Sequence, residues 1–471
     1  MRSKAALLAV LLWWPVAALA PPGADAHEPR NTLTLPGDAR YRATDHPDRV
    51  ILVVGEDPAR TQSVNWRTGP GVAEAVAQIV VARDTPGLHL SATTVQGTTR
   101  PLVTANGLAH HHAVRFEGLE PDTLYAYRVR GHDTWSEWLQ FRTAPASFRP
   151  FSFLYFGDAQ NSVRSHFSRV IRESFRELPK ASLLLHAGDL VNLREGNHDD
   201  EWGEWFEAGG FLHGMIPAVP VAGNHEHVKR VEPDGSETYS LSPHWPLQLG
   251  LPRNGPPGHE DTVYFVRYPG ALFVVLDSTR ALDEPGSAEV QGRWLDALLS
   301  HEKAPWVIVS HHHPVFSVAM GRGNPPLREH WLPVYERHGV DLVLQGHDHA
   351  YGRGHNVAEG ATAVGARGVP VYVVSVAGPK QYLVSDEARE ALERTGEDVQ
   401  LYQVVHVEQD RLRYESRTVT GRIYDAFDVE RTRSGSKRFV SRLPRGAPED
   451  RCSNPSLPRP TRCWEGTELV D

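Results

Sequence analysis

Phe151-Ser152-Phe153-Leu154-Tyr155-Phe156, running into Gly157-Asp158-Ala159-Gln160, decides how the larger part of this chain folds. An apolar run of strand length without alternation reads as a strand buried on both faces. The glycine lets the backbone turn sharply off the strand end and present the next side chain. The same grammar returns at Leu183–His186, before Gly188-Asp189-Leu190-Val191-Asn192, and ahead of Gly223-Asn224-His225-Glu226. It recurs at Trp306–Ser310, before His311-His312-His313-Pro314, and at Val340–Leu344, before Gly346-His347-Asp348-His349. Ala271–Leu276 and Val369–Val376 are further dense apolar runs. Between the first two runs Val163, Phe167, Val170, Ile171, Phe175 and Leu178 recur at helical spacing, and Glu289–His301 and Leu327–Arg337 also read as helices. Strands alternating with helices predict an α/β domain with a layered, largely buried sheet. Its expected bounds are residues 150–430, with Tyr402–Val407 and Arg411–Ser416 as a closing hairpin.

The text before it differs. Over residues 44–145, Val50–Val54, Ser63–Arg67, Ala77–Ala82, Ala113–Phe116, Tyr125–Arg130 and Trp138–Arg142 are short β-prone runs between Gly, Pro, Asp and Asn breakers. That spacing predicts an all-β sandwich. Leu119-Glu120-Pro121-Asp122-Thr123-Leu124-Tyr125 resembles the corner of fibronectin type III domains, where a tyrosine enters the penultimate strand. His110-His111-His112 precedes one strand and reads as a solvated loop rather than a metal site. Ala144–Pro150 reads as a linker.

At the N-terminus Arg2 and Lys4 lead into an apolar run from Ala5 to Ala20, and Ala24-Asp25-Ala26 fits a small-x-small cleavage site. Residues 1–26 therefore read as a secretory signal, with a mature start at His27. No later stretch approaches about 18 uninterrupted apolar residues, so no membrane span is expected after cleavage. A secreted or periplasmic location permits a disulfide, and Cys452 and Cys463 are the only two cysteines. They would staple a tail over residues 431–471. The 471 residues are 40% hydrophobic and 23% charged, a balance too apolar for intrinsic disorder. The net charge of −9, without basic blocks, argues against a nucleic-acid scaffold or a binder of anionic membranes.

The polar clusters stand at strand ends, where open α/β sheets place ligands. Carboxylates, imidazoles and an amide oxygen form a ligand set for first-row transition metals. Alternate residues of an extended chain point the same way, so His347 and His349 would each serve one of two adjacent ions. A carboxylate has two oxygens and can bridge the pair.

In this order the blocks resemble the calcineurin-like metallophosphoesterases, specifically the purple acid phosphatases, in both domains and over most of the mature chain. That family carries GD-x-G, GD-x-x-Y, GNH-E/D, V-x-x-H and GH-x-H blocks behind a fibronectin-like sandwich. The resemblance implies an all-β sandwich followed by a layered α/β metallophosphoesterase domain. It puts Asp158, Asp189 and His349 on a first ion. Asp189 bridges to a second, which Asn224, His312 and His347 complete; His311 and His313 are neighbours of the ligand. His225 would contact the scissile phosphate and act as general acid. Glu226 and Asp348 would orient it, or would make ordinary loop hydrogen bonds.

Two departures stand out. Gln160 replaces the first block's glycine, and Asn192 replaces the tyrosine that binds ferric iron and gives the purple colour. A colourless pair of divalent ions (Zn, Mn or Fe) is therefore expected, with Asn192 either a weak amide ligand or a group just outside the ions. Arg322 occupies the segment where many relatives carry a substrate-contacting histidine; it would clamp phosphate oxygens or stand as a solvated loop arginine. Lys380 and Tyr382 are weaker candidates of the same kind. Trp202 and Trp205 read as core, and His198 and Asp199 as a polar loop.

The expected activity is a secreted binuclear phosphatase acting on small phosphate monoesters by in-line attack of a metal-bound hydroxide. Two divalent cations about 3.5–4 Å apart would acidify the water and stabilise charge on both sides of phosphorus. A phosphodiesterase or nucleotide hydrolase on the same ion pair is the alternative. A binding protein with a vestigial metal domain is a reading from another class, and the full ligand set speaks against it.

Overall fold

The computed structural model describes residues 40–355, 370–453 and 462–464. The region read as a secretory signal lies outside the described residues. Among the described residues no helix is long and apolar enough to cross a membrane.

The sandwich forms as its alternating residues require. Asp48–Val54, Gln62–Thr68, Gly107–Phe116 and Thr98–Thr104 build one face. Val76–Val81, Thr93–Gln96, Leu124–Val129 and Leu139–Arg142 build the other. Leu52, Val64, Trp66, Ile79, Val114, Phe116, Tyr127 and Phe141 fill the space between them. The Tyr125 hydroxyl accepts the Glu120 N–H at 2.9 Å, which pins the corner read from the sequence.

Two strands escape the sequence pattern. Thr93–Gln96 and Thr98–Thr104 are largely exposed, so they lack the buried apolar alternation that marks the others. The reading of His110-His111-His112 as a solvated loop is corrected: all three lie within the strand Gly107–Phe116. His112 is wholly buried, stacked on Trp66 at 5.0 Å and bonded to Thr68 Oγ1 (2.7 Å) and Thr99 Oγ1 (2.9 Å). It is a satisfied core residue.

The following domain packs two sheets face to face. In the first, Phe151–Phe156, Leu183–His186 and Ala218–Pro220 run parallel, flanked by the antiparallel Leu401–Val407 and Arg411–Thr418. In the second, Ala271–Val275, Trp306–Ser310, Leu342–Gln345 and Val371–Val374 run parallel. Phe153, Tyr155, Leu185, Phe273, Ile308 and Leu344 meet between the sheets. Leu154, Phe156 and Leu184 face outward onto Val163, Phe167, Val170 and Ile171, which lie on or just before the helix Phe167–Glu177. Phe151–Phe156 and Leu183–His186 are thus buried on both faces, and this is why Phe151–Phe156 shows no alternation. The Leu327–Arg337 pattern folds as two helices, Pro325–His330 and Leu332–His338, not one. Pro333 has no N–H to continue the ladder across Trp331.

The two domains share a sheet. The strand Asp48–Val54 pairs in parallel with Ala218–Pro220, so an eleven-stranded sheet runs from the sandwich through the second domain. At its far edge lies Lys437–Ser441, within the stretch read from the sequence as a tail. Cys452 and Cys463 are joined by a disulfide, and Arg462–Trp464 pairs with Gln381–Tyr382.

Candidate metal centre

All the polar clusters gather at the carboxyl ends of the parallel strands. Sharp turns are needed to aim them there. Asp189 (φ 52°), His347 (φ 75°) and His349 (φ 47°) sit in the left-handed region, which non-glycine residues seldom adopt. Strain held at a cluster of polar side chains is a mark of function. Gly188 (φ 92°) is required twice, since a Cβ there would stand 2.6 Å from His312 Nδ1 and 2.9 Å from the Gly223 backbone.

Two groups of ligand-type atoms result, Asp158–Asp189–His349 and Asp189–His312–His347, with Asp189 common to both. Asn224 completes the second. Its Oδ1 lies 3.1 Å from His312 Nε2 and 2.9 Å from His347 Nδ1, and these two nitrogens are 3.2 Å apart. His312 Nε2 is also 3.1 Å from Asp189 Oδ2, and His349 Nε2 is 3.3 Å from Asp158 Oδ2.

The hydrogen-bond partners fix which nitrogen faces inward. His312 Nδ1 donates to the Ala187 carbonyl (2.8 Å) and His349 Nδ1 to the Lys380 carbonyl (3.1 Å). In the neutral tautomer each Nε2 then presents a lone pair. Lone pairs of imidazole, amide oxygen and carboxylate converge within about 3 Å, close to the edge length of a polyhedron with ~2.0–2.2 Å bonds. Asp158 Oδ2 is buried with no hydrogen-bond donor. The donor set therefore fits a pair of metal ions.

The charges give the same result. Burial, with help from Asp189, holds the Asp158 carboxyl well above its usual range despite the pull of His312. Burial lowers His312, but Asp189 and Asp158 outweigh it and push the ring up to about 9. Without an ion, one imidazolium is left to balance two buried carboxylates.

Supporting residues lock the turns. Glu226, read as an orienter of His225 or an ordinary loop residue, accepts the N–H groups of Asp189 (2.9 Å), Leu190 (2.8 Å) and Gly223 (2.7 Å). It clamps two ligand turns together. Asp348 accepts from Val318 (2.5 Å), Ala319 (3.1 Å) and Arg322 Nη1 (3.2 Å), tying the 318–322 segment to the His347–His349 turn. His225 stands beside Asp189, whose Oδ1 accepts its backbone N–H at 2.9 Å. Its Nδ1 donates to the Asn192 carbonyl, and its Nε2 lies 3.9 Å from Asp189 Oδ2. Burial, ahead of the attraction of Asp189, lowers this ring to about 3.

Asn192 supports the site with its backbone. Its carbonyl holds His225 and its N–H donates to Glu201 Oε2 at 2.5 Å, while its side chain makes no hydrogen bond among the described residues. Arg322 donates to the His347 carbonyl (2.9 Å) and lies 4.9 Å over the Tyr382 ring, which in turn sits 4.8 Å from His349. Lys380 contributes its carbonyl to His349, and its ammonium lies 5.7 Å from the Tyr382 ring. His311 and His313 are buried neighbours: His311 Nδ1 donates to the His313 carbonyl, and His313 is bonded to Ser278 Oγ. Trp202 and Trp205 are core.

His198 and Asp199 lie in a polar loop, as read from the sequence, but that loop is buried. Asp199 is buried and receives Arg49 (2.6 Å) and Arg67 (2.8 Å) from the sandwich. Its partners lie far off in sequence, so no local pattern announces it. Gln160 is the other residue whose place the sequence did not give. Its amide nitrogen lies 2.7 Å from His349 Nε2 and 3.1 Å from Asp189 Oδ2.

Comparisons with known proteins agree with this geometry. Residues 151–351 match the calcineurin-like phosphoesterase family, and residues 47–143 match the purple acid phosphatase N-terminal domain. An uncharacterized protein of Mycobacterium tuberculosis is 25% identical over 64% of this chain and 61% of its own length. Purple acid phosphatase 15 of Arabidopsis thaliana is 28% identical over 54% of this chain and 50% of its own. The chain thus spans about half to three fifths of these relatives' length. Among solved structures, a purple acid phosphatase from yellow lupin (Lupinus luteus) seeds shares the fold with a TM-score of 0.67. It is 16% identical, covering 83% of this chain and 75% of the other. PhoD shares the fold with a TM-score of 0.61 at 15% identity, covering 86% and 94%.

Proposed function

We propose that this chain, a calcineurin-like phosphoesterase domain joined to a purple acid phosphatase N-terminal domain, is a binuclear metal-dependent phosphatase of phosphate monoesters that works outside the cytoplasm. The observation that carries the reading is the convergence of Asp158, Asp189, Asn224, His312, His347 and His349 on two adjoining positions that, among the described residues, no lysine or arginine occupies. A relative described as an Fe(3+)-Zn(2+) purple acid phosphatase of Arabidopsis thaliana, 26% identical over 66% of each chain, supports a two-metal reading. The export part rests on the signal-like residues 1–26.

Two ions held there would supply Lewis acidity toward a water and toward phosphoryl oxygens. The protein's own groups do the rest. Asp158, Asn224, His312, His347 and His349 would hold the ions, with Asp189 common to both positions. His225, anchored by Asn192 and by Asp189, keeps Nε2 available for the phosphoryl group or the leaving oxygen. As general acid it must carry a proton there, which the negative phosphate favours against burial. Arg322, tied to the His347 carbonyl, holds donors of its fork at the rim for phosphate oxygens.

A panel of p-nitrophenyl phosphate, bis(p-nitrophenyl) phosphate and ATP, assayed after metal removal and re-addition of Zn, Mn or Fe, tests this. The expected result is metal-dependent hydrolysis with kcat/KM highest for the monoester. A preference for the diester or for ATP would replace the monoester reading by the phosphodiesterase or nucleotide reading. No hydrolysis with any metal would overturn the enzyme reading.

A further inference from the structure

Gln160 closes the turn Gly157-Asp158-Ala159-Gln160 and is 1% exposed. Its carboxamide points into the first ligand group and not away from it. The nitrogen is closer to His349 Nε2 (2.7 Å) than Asp158 Oδ2 is (3.3 Å), and it also reaches Asp189 Oδ2 at 3.1 Å. The other end, Oε1, is buried with no hydrogen-bond partner. An amide end with two neighbours and an oxygen with none is a group awaiting a different partner. The two ends exchange by a half-turn about the last side-chain bond, so what binds between Asp189 and His349 decides which end faces in.

With lone pairs facing in, an amide N–H is the natural occupant. With a cation there, the amide oxygen is the natural one, because it is a neutral donor that suits divalent ions. The tyrosine position of the second block holds Asn192, whose backbone bonds to Glu201 and His225 and whose side chain makes no hydrogen bond among the described residues. Asn192 would bring no phenolate to a first ion, and Gln160 is a buried group aimed at that position.

We propose that Gln160 is a ligand of the first metal ion through Oε1, and that without the ion its N–H caps Asp189 and His349. This rests on the binuclear reading above. A neutral amide in place of a phenolate leaves the first position suited to divalent ions.

The test is manganese(II) and zinc(II) binding to the full chain, by competition with a chromophoric chelator, for wild type, Gln160→Met and Gln160→Glu. Gln160→Met keeps the side-chain length without a hard donor; Gln160→Glu keeps the shape and adds charge. Wild type is expected to bind two ions. Gln160→Met is expected to bind one ion as wild type does and the other at least 10–100-fold more weakly, the scale set by loss of a group supporting a metal. Gln160→Glu is expected to tighten that same site, since added ligand charge raises affinity for hard divalent cations. Visible spectra of the cobalt(II)-loaded proteins provide a second readout, with the bands of wild type and Gln160→Met differing in position and intensity. Two unchanged affinities in Gln160→Met, or a tighter first site in it, would overturn the proposal. A wild type that binds no ion pair would instead overturn the functional reading beneath it.

Discussion

The stretch from Asp189 to Asp199 begins and ends on a buried carboxylate, and the protein treats the two in opposite ways. Asp199 is surrounded by donors: Arg49 at 2.6 and 2.9 Å, Arg67 at 2.8 Å, Asn106 at 3.2 Å and His244 at 3.4 Å. Its charge is settled within the chain. Asp189 shares its pocket with Asp158, and the facing imidazoles and amide oxygen offer lone pairs. Among the described residues no arginine or lysine is bonded to either carboxylate. Two buried carboxylates left to one imidazole are costly unless a cation arrives from outside. One cluster is therefore structural cement between the domains, and the other has the donor set of a receptor for ions. They are also connected. Asp199 precedes the helix Asp200–Gly209, whose Glu201 holds the N–H groups of Asn192 and Leu193, and Asn192 holds His225.

The sharpest way to break this contrast is to remove the charge from each end in turn. Asp189→Asn is expected to reduce phosphatase activity by more than the about 10²–10³-fold that loss of one electrostatic group costs, because both ions share it. Loss of ions and activity with the unfolding midpoint in chelator little changed is the expected pattern. His225→Ala is expected to lower kcat by about 10²–10⁴-fold while metal content stays at the wild-type level. Equal loss on a substrate with a very good leaving group would contradict its role as acid.

Asp199→Asn should show the reverse pattern. It leaves Arg49 and Arg67 buried with too little countercharge, at a cost of about 3–5 kcal/mol in stability. Urea unfolding measures it, and a loss under ~1 kcal/mol would mean the cluster resembles a surface ion pair. The pH dependence sharpens the point. Desolvation works against the charged form, but the two arginines and His244 hold the Asp199 carboxyl far below its usual range. A depressed folded-state value contributes stability above the unfolded value, about 3.9, and loses it only as pH falls further. The wild-type advantage over Asp199→Asn should be flat from about pH 5 to 8 and shrink below about pH 4. An advantage that fades between pH 5 and 8 would contradict the assignment.

The smallest expected effect is optical. The wild type should lack a broad visible charge-transfer band, and Asn192→Tyr with ferric iron should introduce one, since phenolate is a hard anionic donor. Absorption spectroscopy decides, and a purple wild type would show that another tyrosine has reached an ion.

What could be read from the sequence follows the range of the interactions. Phe151–Phe156 and Leu183–His186 were legible as buried strands because burial on both faces writes itself into a continuous apolar run. The polar blocks were legible because each is a local turn after a strand, and the structure brings Asp158, Asp189, Asn224, His312, His347 and His349 together. The exposed Thr98–Thr104 strand left no such trace, and without it His110-His111-His112 looked like loop. Asp199 and Gln160 take their meaning from Arg49 and His349, far away along the chain, and from a sheet shared between domains. No short pattern encodes that.

The central claim is that the lone-pair cluster exists to hold two ions. Metal content per chain by inductively coupled plasma mass spectrometry, on wild type and Asp189→Asn purified side by side, tests it most directly. The account predicts about two equivalents of divalent transition metal in the wild type, and loss of the pair when the shared carboxylate is removed. A folded, active wild type with no transition metal, or an Asp189→Asn variant that keeps both ions, would contradict it.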